Sequence, residues 1–533
     1  MRLSWTIPIL TAVAISIAVS VTLTEQVGMY SDDGVYTAAA KSLAEHGTYR
    51  LINVPGEPYE TKAPPVYAAL LGLAWKGNPQ FPQNVYALKA LNLSFIAAAL
   101  ISIAILTARL SSDAEWLTLV PVAVVAVVGT NAMVVAFADY LMTDLLFTAL
   151  ALIVLVLASS DRNGNTRGRE AMIVGLLSVA VLTRSVGIAL AAALVLDSLW
   201  QKRYRPAIVR ALVPGLVFGT WMLWAANHKV NQSVLIDYYQ TYEDPVVAQV
   251  LRNPQLTWDV VSANLRLLRD AMPWALGPIW LIAWPVLVVL IGVGAWRMLR
   301  SPQRAAILFI ACYVPLIVVH PFAPSRYLVP TVPIMVLALV AGTAAAWSAL
   351  AQSERIRARS SRAVFAVLLL MVIGNVTWLQ YRYRPGDRVR DWTGRDLGYR
   401  WSGFEETFTW LTQNTPRDAR LGSVFDSTYY LYTGREGIRP WIQRPETYFY
   451  PYGHAVPSVG DAHTVAKELD VLGIDYLVID PSGYPEADAA IALMKTIIAL
   501  PDVNGRRVFI SSDGHHEIFQ LWGGSSTALD GQR

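Results

Sequence analysis

Apolar residues fill the chain up to residue 382 in blocks long enough to cross a bilayer, and short connectors rich in Lys and Arg separate them. At about 20 residues per crossing, the pattern predicts spans near 5–27, 85–108, 115–137, 141–159, 207–227, 274–296, 304–320, 326–350 and 363–382. The run 170–200 is too long for one upright helix and short for two ordinary ones. Charge decides the case. One span would put "QKRYRPAIVR" and "DRNGNTRGR" on opposite sides, whereas two short spans turning near Thr183-Arg184-Ser185 keep both on the same basic face.

The result is a polytopic α-helical membrane protein of about eleven transmembrane helices, residues 1–382. The Arg-rich connectors "DRNGNTRGR", "QKRYRPAIVR", "WRMLRSPQR" and "SERIRARSSR" are expected in the cytoplasm with Arg2. Segments 28–84 and 228–273 and the tail are then expected on the other side. The first apolar run is read as a span, because only Arg2 precedes it and no convincing cleavage site comes before Glu25.

From residue 383 the period changes. "ARLGSVF", "DYLVID", "RVFIS" and "HEIFQLW" read as short strands, and "FEETFTWLTQN", "AHTVAKELDVLG" and "EADAAIALMKTIIAL" as amphipathic helices. Residues 383–533 are therefore expected to form a soluble extracytoplasmic α/β domain.

Composition agrees: 54% of the 533 residues are hydrophobic and 15% charged, with mean hydropathy +0.39. The net charge of +4 comes from basic connectors, so it reports topology and not a nucleic-acid partner. Cys312 is the single cysteine, which excludes an intrachain disulfide and any site built on several thiolates. No repeat period and no Gly-rich phosphate loop is found.

The chemistry is carried by polar residues on the outer side. In "MYSDDGVYTAAAKSLAEHG" (29–47), Val35, Ala38, Ala39 and Leu43 recur at helical spacing and Gly47 marks a stop, so a short interfacial helix is expected. Ser31, Asp32 or Asp33 can cap it. A cap accounts for one carboxylate only; the other reading makes Asp32 a general base on an acceptor, with Asp33 orienting it or a cation. In "YETKAPPVYAALLGLAW" (59–75), Pro64-Pro65 precedes a second short apolar helix. Lys62 there either snorkels to the interface or contacts a lipid-linked phosphate. "FADYLMTDLLFTAL" (137–150) puts Asp139 in an outer turn and Asp144 at the start of a span, where a carboxylate is costly. Arg184 either binds an anion or pairs with Asp139 or Asp144. "HPFAPSRYLVPTVP" places His320, Arg326 and Tyr327 in a Pro-shaped outer connector able to line a cavity; Arg326 can equally be an interface anchor. The aromatic stretch "TYYLYTGREGIRPWIQRPETYFYPYGH" can stack saccharides or fill a core.

Taken in order, "SDDGVYTAAAKSLAEHG", "YETKAPP", "ADYLMTDLLF", "LTRSVG", "SRYLVP" and the tail motifs "WLTQNTPRDARLGS", "YLYTGR" and "DYLVID" resemble the C-type membrane-embedded glycosyltransferases. The resemblance is closest to the bacterial branch of protein O-mannosyltransferase-like, lipid A aminoarabinose transferase-like and lipopolysaccharide-core galacturonosyltransferase-like proteins. It implies that Asp32 is the catalytic acid and Asp33 its second acid, a position often held by Glu in the family. Tyr59 and Lys62 match a Tyr-x-x-Lys-Pro segment that contacts the donor phosphate, although Ala63 intervenes before Pro64. Asp144 matches an acid at the start of the fourth span. Family metal sites use a Glu beside that Lys, here Glu60, with distant histidines. None can be aligned, so no metal is assigned and a divalent cation stays open as a cofactor.

The resemblance implies an enzyme of the bacterial inner membrane that moves a sugar from a polyprenyl-phosphate donor to a lipid, glycan or protein acceptor, with inversion at the anomeric carbon. Asp32 would serve the acceptor, and Lys62, Arg184 and Arg326 the departing phosphate. A transporter or flippase of lipid-linked saccharides predicts an inverted repeat and charges at the midplane, and a polymerase or ligase of such lipids is a further alternative. A non-catalytic scaffold leaves the outer-face charges without a role.

Overall fold

The computed structural model describes residues 3–30, 32–111, 114–160, 167–230, 233–240, 252–320, 324–350, 360–382, 387–390, 395–442, 459–481 and 485–522. The helices of its first part are α1 (Leu3–Val19), α2 (Asp32–His46), α3 (Val66–Gly77), α4 (Val85–Ala108), α5 (Ala114–Gly129), α6 (Ala132–Asp139), α7 (Asp144–Ser159), α8 (Arg167–Val181), α9 (Ile188–Trp200), α10 (Tyr204–His228), α11 (Asp237–Gln240), α12 (Pro254–Leu276), α13 (Trp280–Leu299), α14 (Arg304–Val318), α15 (Val332–Leu350) and α16 (Ser360–Arg382).

Every segment predicted to span is helical. Among the described residues, five helices are long and apolar enough to cross a membrane, and a sixth arises if α5 and α6 are one bent span. Thr6–Thr22, Asp144–Ser159, Ser185–Trp200 and Arg304–Val318 are shorter apolar helices. Long helices carry apolar side chains on their outer faces, such as Leu216, Leu223, Ile282 and Val289, each more than half exposed. Such a band suits lipid and not water. The run 170–200 divides as charge required, with α8 ending at Val181 and a 3-10 turn Ser185–Gly187 leading into α9.

Four predicted boundaries are corrected. Segment 115–137 is not one straight helix: α5 and α6 meet at 54°. Asn131 causes the break, because its side chain caps α6 through Met133 N–H at 3.0 Å while donating to Trp274 O and Ala275 O. The first span stops early, since beyond a 3-10 turn Ser20–Thr22 the Thr24 N–H is captured by Asp139 Oδ1 at 2.6 Å. The span predicted at 274–296 starts only at Trp280, after α12 ends at Gly277 in the left-handed region. The 326–350 segment opens as a 3-10 helix, Pro324–Thr331, before α15.

The second part holds α17 (Trp401–Asn414), α18 (Asp426–Thr433), α19 (Ala462–Val471) and α20 (Pro485–Ile498). Its strands are β1 (Arg388–Arg390), β2 (Asp396–Arg400), β3 (Leu421–Ser423), β4 (Gly437–Ile438), β5 (Tyr476–Ile479), β6 (Arg506–Ile510) and β7 (Glu517–Gln520). β1 and β2 form an antiparallel pair, and the other five a mixed sheet in the order β4-β3-β5-β7-β6. β3 runs parallel to both β4 and β5, whereas β7 is antiparallel to β5 and β6. All four strands and three helices read from the sequence are present; β1, β2, β4 and α18 are additional.

The sheet's core does not close on itself. Met29, Leu51 and Val54 from the first connector, and Leu235, Ile236 and Tyr239 from the second, belong to the same buried cluster as Phe404, Leu421, Leu477 and Ile518. The C-terminal unit therefore rests on the face of the membrane part that carries the acidic pair.

Candidate active site

The two adjacent acids have different surroundings. Asp33 is buried; its Oδ2 accepts from Gly28 N–H at 2.9 Å and its Oδ1 from Tyr30 N–H at 3.1 Å. It thus folds the preceding loop back over the first turn of α2; both donors precede the helix, so this differs from the expected cap, which would accept from the orphan N–H groups of α2 itself. Burial pushes its carboxyl up to about 6, against the two N–H donors and the charge of Lys89. Ser31, the other residue considered for the cap, lies outside the described residues.

Asp32 points elsewhere. Its side chain is 43% exposed, and its Oδ2 accepts from Arg326 at 2.9 Å. The surrounding protein pushes its proton affinity up, but Arg326 first and Lys62 next outweigh that and hold the carboxyl below its ordinary range. Asp32 is an ionised carboxylate in an accessible cleft.

Arg326 lies in the 3-10 segment before α15, which aims it at α2. Its guanidinium also sits 5.3 Å from the Tyr30 ring and 5.1 Å from the Tyr327 ring. Arg184 approaches the same Tyr327 ring at 5.0 Å and pairs with Asp144 at the start of α7. Two guanidiniums thus share one aromatic ring, each with its own carboxylate. The second Asp144 oxygen, Oδ2, is buried with no hydrogen-bond partner among the described residues. His320 meets the Tyr327 ring edge-on at 5.0 Å.

Lys62 joins from the connector between α2 and α3. Glu60 shapes its backbone: Oε1 accepts from Lys62 N–H at 2.7 Å and Ala63 N–H at 2.8 Å. Val66 N–H donates to Leu182 O at 3.2 Å, which ties this segment to the turn carrying Arg184. Burial pushes Glu60 up to about 7. Tyr59 turns toward α10, where its ring contacts Trp224 and His228 and is covered by Arg50 at 4.1 Å.

The residues do not fit a metal. One Glu60 oxygen is committed to two backbone donors, and among the described residues no group of three or more His, Cys, Asp or Glu side chains is arranged to hold an ion.

The structure therefore brings Asp32, Arg326, Tyr327, Arg184 and Asp144 together, places Lys62 within electrostatic reach, and puts Asp139 elsewhere. Asp139 is not in a turn but ends α6, where it pairs with Lys89 at 2.6 Å. Sequence reasoning passed over Lys89, although a lone cation inside a 24-residue apolar helix is itself a signal. It is fully buried and also donates to Thr24 O and Gln26 O. Tyr30 was also missed, being hidden in a loop without periodicity. The aromatic stretch proposed for saccharides splits: Tyr429 is core, Tyr432 packs on Phe408 and Phe81, and 443–454 lie outside the described residues.

No protein-family model matches the sequence, and neither does any curated protein. Solved structures do. ArnT from Cupriavidus metallidurans in the apo state is 16% identical with a TM-score of 0.56, over 96% of this chain and 97% of that one. The same protein bound to undecaprenyl phosphate gives 16% identity and a TM-score of 0.54 over the same shares. An arabinosyltransferase, EmbB from Mycobacterium smegmatis, is 12% identical with a TM-score of 0.38, over 88% of this chain and 44% of that one. The likeness to ArnT extends over nearly the whole chain, and the two proteins share a fold.

Proposed function

We propose that this protein is a membrane glycosyltransferase that moves a sugar from a polyprenyl-phosphate donor to a cell-envelope acceptor, on the extracytoplasmic side of a bacterial inner membrane. The observation that carries the reading is the accessible Asp32 carboxylate paired with Arg326, beside a second guanidinium on the same aromatic ring. The ArnT fold, in a protein seen with undecaprenyl phosphate, supports the donor class.

In the resting site Asp32 is a weak base, because Arg326 stabilises its charged form. An arriving phosphate competes for Arg326, and Asp32 regains proton affinity at the moment it is needed. The acceptor oxygen then attacks the anomeric carbon and its proton passes to Asp32. The bond from that carbon to the phosphate oxygen breaks on the opposite face, with inversion. The electron pair leaves with the polyprenyl phosphate, whose charge Arg326, Arg184 and Lys62 stabilise. Tyr327 keeps the guanidiniums apart and planar against its ring.

The test is transfer from a radiolabelled polyprenyl-phosphate sugar to envelope acceptors in membranes containing the full chain. Asp32→Asn is expected to lower the rate by about 100-fold or more while the protein stays folded. Transfer at the wild-type rate sinks the assignment of Asp32. Mass spectrometry of envelope glycans with and without the protein identifies sugar and acceptor together.

A further inference from the structure

Asp426, the first residue of α18, is fully buried and belongs to none of the groups above. Its Oδ2 accepts from Asn53 Nδ2 at 2.9 Å and from the Tyr239 hydroxyl at 3.0 Å, and its Oδ1 from Arg439 Nε at 3.3 Å. These partners come from three parts of the chain: the connector between α2 and α3, the connector after α10, and the C-terminal sheet. Backbone bonds close the arrangement. Gly437 N–H donates to Asn53 O at 2.7 Å, and Arg439 N–H to the Tyr239 hydroxyl at 3.0 Å.

The next residue after Tyr239 carries the contact on. Gln240 Nε2 donates to Tyr59 O at 3.4 Å, and the Thr61 hydroxyl donates to Gln240 O at 3.2 Å. Tyr59 and Thr61 flank Glu60, and Lys62 follows. The 47–62 connector is thus gripped twice, at Asn53 directly and at Tyr59–Thr61 through Tyr239 and Gln240. A buried carboxylate with several donors is stable only while they are all in place, since removing one leaves a desolvated charge underserved. The two grips therefore act together.

We infer that Asp426 is a positioning residue: through Asn53 and Tyr239 it fixes the Glu60–Lys62 segment, so that affinity for the polyprenyl phosphate is set from the C-terminal unit. The inference rests on the proposed donor site. It gives the C-terminal unit a task in donor binding.

The experiment uses the full chain in lipid nanodiscs, with undecaprenyl phosphate itself as the probe. Tyr239→Phe removes one hydroxyl and no bulk; it is expected to weaken binding about fivefold and, because that hydroxyl serves both Asp426 and Arg439 N–H, to lower the melting temperature while the protein stays folded. Lys62→Gln weakens binding by itself, and adding Tyr239→Phe to it costs little more, because the position of an absent ammonium no longer matters. Equal fivefold losses in both backgrounds overturn the inference, as does wild-type affinity in Tyr239→Phe.

Hydrogen exchange separates this outcome from failure of the donor reading. Asp426→Asn is expected to speed exchange in peptides covering residues 47–62 whether or not a phosphate binds, and unchanged exchange there overturns the coupling. If exchange rises but the wild type does not bind undecaprenyl phosphate, the donor reading fails, and the inference about affinity fails with it.

Discussion

Arg326 Nη1 donates to Asp32 Oδ2 at 2.9 Å across 294 residues of sequence, and joins the 3-10 segment before α15 to the first turn of α2. The pair is neither a surface salt bridge nor a sealed one, for Asp32 remains 43% exposed while Arg326 is 16% exposed. In the proposed mechanism each group is neutralised while waiting and released when a charged ligand takes the other's place. The proposed exchange would link occupancy by a phosphate to the basicity of the neighbouring carboxylate.

Removing Arg326 should therefore appear in the pH dependence. With Arg326 present the Asp32 carboxyl is held below its ordinary range; without it, burial is opposed only by Lys62 and more distant charges, and the carboxyl moves up. Asp32 must be ionised to accept a proton, so the acid limb of the rate profile is expected at higher pH in Arg326→Gln than in the wild type. Initial transfer rates between pH 4 and 9 at donor concentrations well below KM, where the rate reports groups of the free enzyme, measure it. An unmoved acid limb contradicts the exchange.

Asp33 should behave as a structural acid. Its carboxyl is raised from 3.8 to about 6 in the folded protein, so the native state holds more protons than the unfolded one between these values, and stability falls as pH rises through that window. Asp33→Asn is expected to flatten this slope while retaining one of the two backbone bonds. Asp33→Ala leaves Gly28 N–H and Tyr30 N–H without their acceptor and is expected to cost about 2–4 kcal/mol. Thermal unfolding in mild detergent from pH 4 to 7 distinguishes the three proteins.

Hydropathy carried most of the membrane part because burial in lipid demands apolar helices, and each predicted span falls on helical segments, five of them long enough to cross among the described residues. It missed the α5–α6 bend, since the apolar run continues on both sides of Asn131 and only that residue's cross-chain bonds to Trp274 and Ala275 reveal the break. Order along the chain showed that Asp32, Lys62, Arg184 and Arg326 belong to one face. It could not say which acid of the pair holds the preceding loop and which meets Arg326, because that depends on where Gly28 and Tyr30 fold back. Nor could it find α18: the segment "DSTYYLYT" has no amphipathic period of its own and becomes helical where Asp426 meets Asn53, Tyr239 and Arg439.

Lys89 and Asp139 form a pair that ties α4 to the end of α6 and to the loop before α2. The Lys89 ammonium is fully buried in α4 and serves Asp139, Thr24 O and Gln26 O together. Removing one partner of a buried pair leaves an unpaired charge, so Lys89→Met is expected to lower stability by about 3–5 kcal/mol. Replacing both, as Lys89→Met with Asp139→Leu, should recover part of that loss, because no charge is then left buried alone. Melting of the single and double variants in detergent checks both values, and a double variant that is additive contradicts the pairing.

The contact between α2 and α18 makes the last prediction, because two glycines allow it. A Cβ at Gly34 would collide with the Ser427 hydroxyl, and one at Gly28 with Thr428, where φ of +93° already disfavours any side chain. The first turn of α2, which carries Asp32 and Asp33, can sit against the start of α18 only while those positions lack side chains. Gly34→Ala is expected to push the two helices apart and cost about 1–3 kcal/mol, with transfer activity falling as Asp32 moves away from Arg326. Gly34 lies inside α2, where Ala is the better helix former, so its own propensity cannot cause the loss. The remedy follows from the same geometry: Ser427→Gly removes the colliding hydroxymethyl group. The double variant Gly34→Ala with Ser427→Gly is expected to regain most of the lost transfer, although Ser427→Gly alone weakens α18 slightly. If the double variant is no more active than Gly34→Ala, steric exclusion at this crossing is not what holds the acidic pair in place.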